Sequence, residues 1–391
     1  MLEQTRQIED QLIAWRRDFH QHPELGFEET RTSQQVVEAL RQMGLTVRTN
    51  VGRTGVVASI GSGHPAVGIR ADMDALPIQE ANDVPYASQT AGVMHACGHD
   101  AHTAILLGVA RTLSTMPDRP AGEIRLLFQP CEEKQDADGV SGAPRMIADG
   151  ALDGLDAAIA LHIASEAPTG IVVIDDGPIH AAADAFEAVI KGKGGHGAYP
   201  HQCVDPVQLL GLVIQAIYGI RSRRIDPTQP AVISIGRIQA GDASNVIPNE
   251  VRLNGTIRSL SDDIRAQLHA ELEKALGVVR ALDGDYTLTI QQGYPPLHND
   301  PHIANAIRTA SRQVVGEERT IRYGFSMGAE DFAYMTRTVP GAMCFVGAQI
   351  GAEMRPHHSP IFDIDEKALA IGAAVLAQSA LHLLNDFAGT K

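Results

Sequence analysis

The sequence lacks an excess of positive charge. Its 32 lysines and arginines stand against 47 aspartates and glutamates, for a formal net charge of −15. This balance argues against nucleic acid or an anionic membrane as the main partner. It leaves room for a small anionic substrate, because a few arginines can set the local field.

Cysteines are scarce too, and their spacing makes a poor disulfide framework. The four of them are far apart and form no C-x-x-C pair, which suits a reducing compartment. The first ten residues are charged and have no apolar core, so we expect no signal peptide. We also expect no apolar run of membrane-spanning length. Together these features predict a cytoplasmic protein.

The length of 391 residues predicts two domains, because it exceeds one comfortable hydrophobic core. The first half alternates apolar strand patterns (55–60, 66–71, 123–129, 157–162) with helical ones (3–20, 103–114, 143–148). This alternation predicts an α/β catalytic domain with a largely parallel central sheet flanked by helices. Its chemistry is expected at the carboxyl ends of the strands.

The middle of the chain has the order βαββαβ, which predicts an inserted ferredoxin-like domain. Joints rich in glycine and proline bracket it, Asp176-Gly177-Pro178 before and Gly293-Tyr294-Pro295-Pro296 after. After them the α/β pattern resumes. We therefore predict a catalytic domain in two parts, 1–183 and 293–391, interrupted by an inserted domain at 184–292.

The segment His95-Ala96-Cys97-Gly98-His99-Asp100, with His102, is the densest group of ligand-type side chains. Cys97 and His99 can converge on a metal ion only if the backbone turns sharply between them, and Gly98 permits that turn. A thiolate and an imidazole suit zinc, manganese or a similar ion. The alternative is a buried thiol beside capping histidines ahead of a helix.

Glu132 and Glu133 follow the apolar strand 123–129 directly. Adjacent carboxylates at a strand end repel each other unless a cation lies nearby. One of them can bind a metal ion while its neighbour takes a proton from water. The alternative for such a pair is a solvated acidic loop.

Two further histidine segments lie where the site is expected. His162 stands at the predicted end of the strand 157–162, and His357-His358 lies near the carboxyl terminus. A lone histidine of this kind is often a satisfied core residue. Four such segments together favour one metal centre.

These segments resemble the N-acyl-amino-acid amidohydrolases, the hippurate hydrolase and indole-3-acetyl-amino-acid hydrolase group of co-catalytic metallopeptidases. The resemblance lies at 95–103, 128–133, 194–200, 245–248, 328–332 and 358–363. It runs from the motif at 16–25 to the C-terminal helix. The strings H-A-C-G-H-D-x-H-T and S-M-G-A-E-D-F-A are its most specific parts.

The resemblance implies two divalent metal ions per subunit, which could be zinc, manganese, nickel or cobalt. Glu132 becomes the general base and acid. His358 is preferred to His357, because the ligand of the family stands two residues before a proline, as His358 does before Pro360. The implied metal ligands are Cys97, His99, Glu133, His162 and His358.

By the same resemblance, Asp72 and Asp74 do not bind the metal ions but orient the residues that do. His196 of the inserted domain reaches the site of a partner subunit and binds the developing oxyanion, which implies a homodimer or a dimer of dimers. Asn245 and Arg258 hold the substrate's carboxylate, a task that suits a planar guanidinium. The implied substrate is an N-acyl amino acid, or alternatively a dipeptide.

The chain departs from the family at 134–142, where the family has a run of glycines. Here the segment Lys134-Gln135-Asp136-Ala137-Asp138-Gly139-Val140-Ser141-Gly142 is charged. The loop beside the base should therefore have its own shape, and the preferred acyl group and amino acid stay open. Two other rival functions are a hydrolase with Cys97 as nucleophile and a metal-binding protein without activity.

Overall fold

The computed structural model describes residues 1–389. Its α-helices are α1 Leu2–Arg6, α2 Glu9–Gln21, α3 Thr30–Gln42, α4 His99–Ser114, α5 Gly142–Ala148, α6 Pro206–Arg223, α7 Asp262–Gly277, α8 Pro301–Val315, α9 Phe332–Thr338 and α10 Lys367–Gly389. Its strands are β1 Val47–Val51, β2 Gly55–Ser62, β3 Ala66–Asp72, β4 Gly122–Gln129, β5 Ala157–Pro168, β6 Val172–Val173, β7 Gly177–His180, β8 Ala182–Lys191, β9 Gly195–His196, β10 Ala231–Ala240, β11 Val246–Ile247, β12 Glu250–Ser259, β13 Asp285–Gln292, β14 Leu297–Asn299, β15 Thr320–Ile321 and β16 Gly341–Gln349.

An eight-stranded sheet forms the centre of the first of two compact units. Its order is β1-β2-β4-β3-β5-β16-β6-β15. The central strands β4, β3, β5 and β16 run parallel to one another, and β1 and β2 add antiparallel pairs at one edge. β3 is buried along its whole length, as expected for a parallel strand covered on both faces. The predicted α/β domain with a largely parallel sheet is confirmed.

The helix α10 corrects one expectation, because it is long and apolar enough to cross a membrane by length and composition alone. The mean hydropathy of its most apolar 18-residue window is 1.5. However, 83% of that window is buried inside the protein, and α10 packs against α8 and α4. A core helix of a globular domain has the same properties, so these values are weak evidence for a membrane span.

The second unit has its own core around a four-stranded antiparallel sheet of order β10-β12-β8-β13. Along the chain these strands and the helices α6 and α7 follow the order βαββαβ. The helix α6 begins at Pro206 after Asp205, whose carboxylate caps it by accepting the Val207 N–H. This topology confirms the predicted ferredoxin-like fold.

The first unit comprises Met1–Gly177, His298–Gly324 and Asp331–Lys391, and the second comprises Pro178–Leu297 and Phe325–Glu330. The short segment Phe325–Glu330 belongs to the second unit, although the predicted boundaries put it in the catalytic domain. Its backbone explains the difference: Ser326 N–H donates to Ile179 O and Ala181 N–H donates to Gly328 O, both at 2.8 Å. These bonds tie it to the second unit.

Candidate metal centre

The turn between Cys97 and His99 has the geometry that the sequence indicated. Gly98 has φ 92°, a left-handed conformation that is strained for residues with a side chain, and α4 starts at the next residue. Helix α4 therefore begins with His99. The side chains of Cys97 and His99 converge across the turn.

Cys97, His99 and His162 form the first group of possible ligands, whose ligand-type atoms lie within 4.8 Å of one another. His99 Nδ1 lies 2.9 Å from Asp74 O, and His162 Nδ1 lies 2.7 Å from Ile163 O. Both carbonyls can only accept, so each Nδ1 carries the proton. In the neutral ring the Nε2 atom then has the lone pair that a metal ion would bind. His162 Nε2 lies 3.6 Å from Cys97 Sγ.

Cys97, Glu133 and His358 form a second group within the same 4.8 Å limit. His358 Nε2 lies 3.3 Å from Glu133 Oε1. His358 has φ 59°, and its N–H donates to Ala96 O at 2.8 Å, which fixes this turn next to Cys97. Cys97 belongs to both groups, so the two groups are contiguous.

The His357 side chain does not contact Glu133 in the way that His358 does. Its Nε2 accepts the Ser165 N–H at 3.5 Å, and its ring packs against His162 and Phe362. Burial lowers the pKa of His357 to about 4. The geometry thus favours His358 over His357 as the partner of Glu133.

Glu132 is buried and lies beside the first two groups. With His99 and Glu133 it forms a third set within 4.8 Å. Its Oε1 accepts the Asp331 N–H at 3.3 Å, and its own N–H donates to Asp74 Oδ1 at 3.0 Å. The backbone of Glu133 is held in the same way, by Asp74 Oδ2 at 2.9 Å. Asp74 therefore orients His99 and both glutamates.

Asp72 and His102 stabilise the surroundings of the proposed ligands through hydrogen bonds. Asp72 Oδ1 lies 2.6 Å from His102 Nδ1, and its Oδ2 accepts from Arg70 Nη1 at 2.7 Å. His102 Nε2 accepts the Ile163 N–H at 2.9 Å, so both ring nitrogens are engaged. His102 is therefore unsuited to ligation and instead fixes the strand next to His162, which continues to Pro168 instead of ending at 162 as predicted.

The electrostatics of the centre suit a bound cation. Burial lowers the pKa of His99, but Asp72, Asp74 and Glu133 outweigh this effect and raise it to about 10. Burial raises the pKa of the Cys97 thiol, and nearby carboxylates raise it further. Among the described residues, His99 Nε2 is buried without a hydrogen-bond partner, and buried Glu133 Oε1 lies 3.3 Å from His358 Nε2. A divalent ion would satisfy both His99 Nε2 and Glu133 Oε1 and favour the thiolate.

His196 and Asn245 lie together in the second unit. Strand β9, which contains His196, pairs with β11 directly after Asn245, and Gly197 N–H donates to Asn245 O at 2.8 Å. Both side chains are exposed. Arg258 lies on β12, where it is half-buried and contacts Thr256 and Ile257 O.

Sequence reasoning missed Arg70, Gln129 and Ser141, which donate hydrogen bonds to Asp331 next to the glutamate pair. Asp331 is fully buried and accepts from Arg70 Nη2 at 3.0 Å, Gln129 Nε2 at 2.8 Å and Ser141 Oγ at 2.6 Å. A signal was present, since Arg70 and Gln129 are polar residues that directly follow apolar runs near the ends of β3 and β4. A buried charge of this kind requires a buried partner.

We expect His358→Ala to reduce bound metal well below the wild-type content, because it removes one of the proposed ligands. The matched variant His357→Ala should keep most of it. The measurement is elemental analysis of both purified proteins after the same dialysis. Equal loss in the two variants, or loss in His357→Ala alone, would contradict the assignment.

The fold and the two contiguous groups of possible metal ligands define a metal-dependent hydrolase class. A family model, Peptidase family M20/M25/M40, matches residues 68–382, and the chain belongs to this family. The chain is 40% identical to thermostable carboxypeptidase 2 of Saccharolobus solfataricus, covering 97% of each. It is 39% identical to the N-acetyl-L-cysteine deacetylase of Bacillus subtilis, covering 97% of this chain and 89% of the relative.

A solved structure is similar over almost the whole chain. The Bacillus subtilis YXEP protein, described as a dinuclear metal binding peptidase from the M20 family, has a TM-score of 0.84 and 32% identity, covering 97% of this chain and 99% of its own. These comparisons confirm the resemblance that the sequence motifs indicated. The protein is a metal-dependent amidohydrolase.

Proposed function

We propose that the protein hydrolyses the amide bond of N-acyl amino acids, giving a carboxylic acid and a free amino acid. The observation that carries this proposal is the position of Glu132, a buried carboxylate within 4.8 Å of two possible metal ligands and fixed by backbone hydrogen bonds. A metal-storage protein has no use for such a carboxylate. The relative named as an N-acetyl-L-cysteine deacetylase supports an N-acyl substrate.

The proposed ligands are Cys97, His99, Glu133, His162 and His358, which fit two divalent ions. When bound, such ions would lower the pKa of a water molecule and polarise the amide carbonyl. Glu132 takes the proton from the attacking water as the new C–O bond forms. It then gives that proton to the nitrogen as the C–N bond breaks, so the amine leaves neutral.

The second unit is proposed to recognise the substrate. Arg258 is half-buried, so its guanidinium is partly desolvated; this lowers its pKa and suits it to bind a carboxylate. Asn245 is proposed to share that carboxylate. His196 is exposed, and we propose that it donates to the oxyanion in the site of a partner subunit, which requires at least a homodimer. A reducing, cytoplasmic location fits the four free cysteines.

A substrate panel tests the proposal. N-acetyl and N-benzoyl amino acids should be turned over with higher kcat/KM than dipeptides with the same C-terminal residue. The relative named as a carboxypeptidase favours a second candidate, a dipeptidase or carboxypeptidase on the same centre. Dipeptide turnover that exceeds acyl-amino-acid turnover across the panel would establish that candidate instead.

The cysteine-nucleophile alternative is disfavoured by the surroundings of Cys97. A nucleophilic thiol needs a lowered pKa, whereas burial and the carboxylates of Glu133, Glu132 and Asp72 raise that of Cys97. We expect chelation to abolish activity and re-addition of a divalent metal to restore it. Activity that survives chelation but not thiol alkylation would revive the alternative.

We expect Arg258→Gln to raise KM for N-acyl amino acids by about 10–100-fold, because a hydrogen bond to a charged group contributes roughly 1.5–3 kcal/mol. KM for the matching amino acid amides, which lack the carboxylate, should change little. Arg252→Gln is the control, since Arg252 lies on the same strand but is exposed. An equal rise for acids and amides would argue against contact with the carboxylate.

A further inference from the structure

The backbone that carries the glutamate pair is held by carboxylates from distant parts of the chain. Asp74 binds the N–H groups of Glu132 and Glu133, at 3.0 and 2.9 Å. Glu29 binds the preceding one: its Oε1 accepts the Cys131 N–H at 2.8 Å. Three consecutive backbone N–H groups are thus fixed by two buried carboxylates.

Cys131 needs this restraint, because its φ of 48° lies in the left-handed region. This conformation costs a residue with a side chain roughly 1–2 kcal/mol. Without a fixed N–H, the backbone at Cys131 would relax toward an ordinary conformation. Glu132 is the next residue, so the relaxation would turn its carboxylate away from its present position.

The surroundings of Glu29 hold its carboxylate in position to bind the Cys131 N–H. Glu29 is fully buried, and its Oε2 accepts from Thr54 Oγ1 at 2.6 Å. On the other side of the turn, Gly26 leaves room for Cys131: a Cβ at position 26 would lie 2.6 Å from Cys131 Sγ. Burial and the charge of Asp74 raise the pKa of Glu29 to about 7. A neutral amide of the same shape is therefore a close substitute for this carboxyl group.

We propose that Glu29 is a positioning residue for catalysis, acting through the left-handed turn at Cys131 to aim Glu132. This inference rests on the proposed function, in which Glu132 carries the proton. In the described contacts, the Glu29 carboxylate binds Cys131 N–H and Thr54 Oγ1 and touches none of the proposed metal ligands. Its effect should appear in kcat and leave metal content and substrate binding largely unchanged.

The test compares three variants of the full-length protein on one N-acyl amino acid. Glu29→Ala should lower kcat by about 10–100-fold, since a misplacement of about 1 Å costs up to about 100-fold. KM and metal content should stay within about threefold of wild type. Glu29→Gln keeps an oxygen for the Cys131 N–H and should restore kcat to within about threefold. Glu24→Ala is the control, because Glu24 also binds two backbone N–H groups, those of Arg31 and Thr32, away from Cys131.

A fourth variant covers the case in which Glu29→Ala does not fold. Gly26→Ala leaves the buried carboxylate in place but pushes against Cys131, and we expect it to lower kcat at constant metal content. The proposal is overturned if Glu29→Ala matches Glu24→Ala in kcat, if Glu29→Gln is as impaired as Glu29→Ala, or if Gly26→Ala is fully active. These results are distinguishable from failure of the proposed function, in which Glu132→Gln would itself remain active.

Discussion

Glu132→Gln is expected to lower kcat by about 10²–10⁴-fold, the range that general acid–base catalysis commonly contributes. The amide has nearly the same shape as the carboxylate, so it can still accept the Asp331 N–H that now binds Glu132 Oε1 at 3.3 Å. It has no basic oxygen to take a proton from water. The backbone N–H of Glu132 stays bound to Asp74, so the turn should persist.

The experiment measures kcat, KM and metal content of the same preparation. Metal content should remain within about threefold of wild type, because Glu132 is not one of the proposed ligands. Glu123→Gln is a suitable control, as Glu123 lies at the other end of β4 and pairs with Arg125. Full turnover in Glu132→Gln with metal still bound would refute the proposed mechanism.

Local patterns predicted the fold and indicated the turn between Cys97 and His99. The alternation of apolar strands and helices was enough for the parallel sheet, because buried strands such as β3 have apolar side chains on both faces. Gly98 indicated the turn between Cys97 and His99 because only a residue without a side chain adopts φ 92° easily. In such cases the information lies within a few neighbouring residues.

The residues that hold the centre could not be predicted in this way. Glu29 and Cys131 are 102 positions apart, and neither residue carries a local sign that they meet. The helix α3 and the strand β1 were also not predicted. β1 is largely exposed, whereas Val36, Val37 and Leu40 of α3 have a helical spacing that was not used. The local pattern likewise could not distinguish His102 from the proposed metal ligands. The distinction comes from the Ile163 N–H, which donates to His102 Nε2.

Asp331→Ala is expected to destabilise the protein by about 3–5 kcal/mol, the usual cost of breaking a buried ion pair from one side. Asp331 is fully buried and accepts hydrogen bonds from Arg70, Gln129, Ser141 and the Ala143 N–H. Its removal leaves these donors buried with one partner fewer. Arg70 keeps Asp72, so the guanidinium remains partly compensated.

Urea unfolding of the purified protein measures this loss, with Asp118→Ala as the control. Asp118 is exposed and has no described partner, so its substitution should change stability by no more than about 0.5 kcal/mol. Ser141 and Ala143 lie at the end of the loop that follows the glutamate pair. Asp331→Ala should therefore also loosen that loop and lower kcat in the surviving folded fraction. A loss of stability below about 1 kcal/mol would mean that the ion pair between Arg70 and Asp72 is enough to stabilise this buried part of the site. Asp331 would then be a local contact of the loop rather than the link between the two strands and the glutamates.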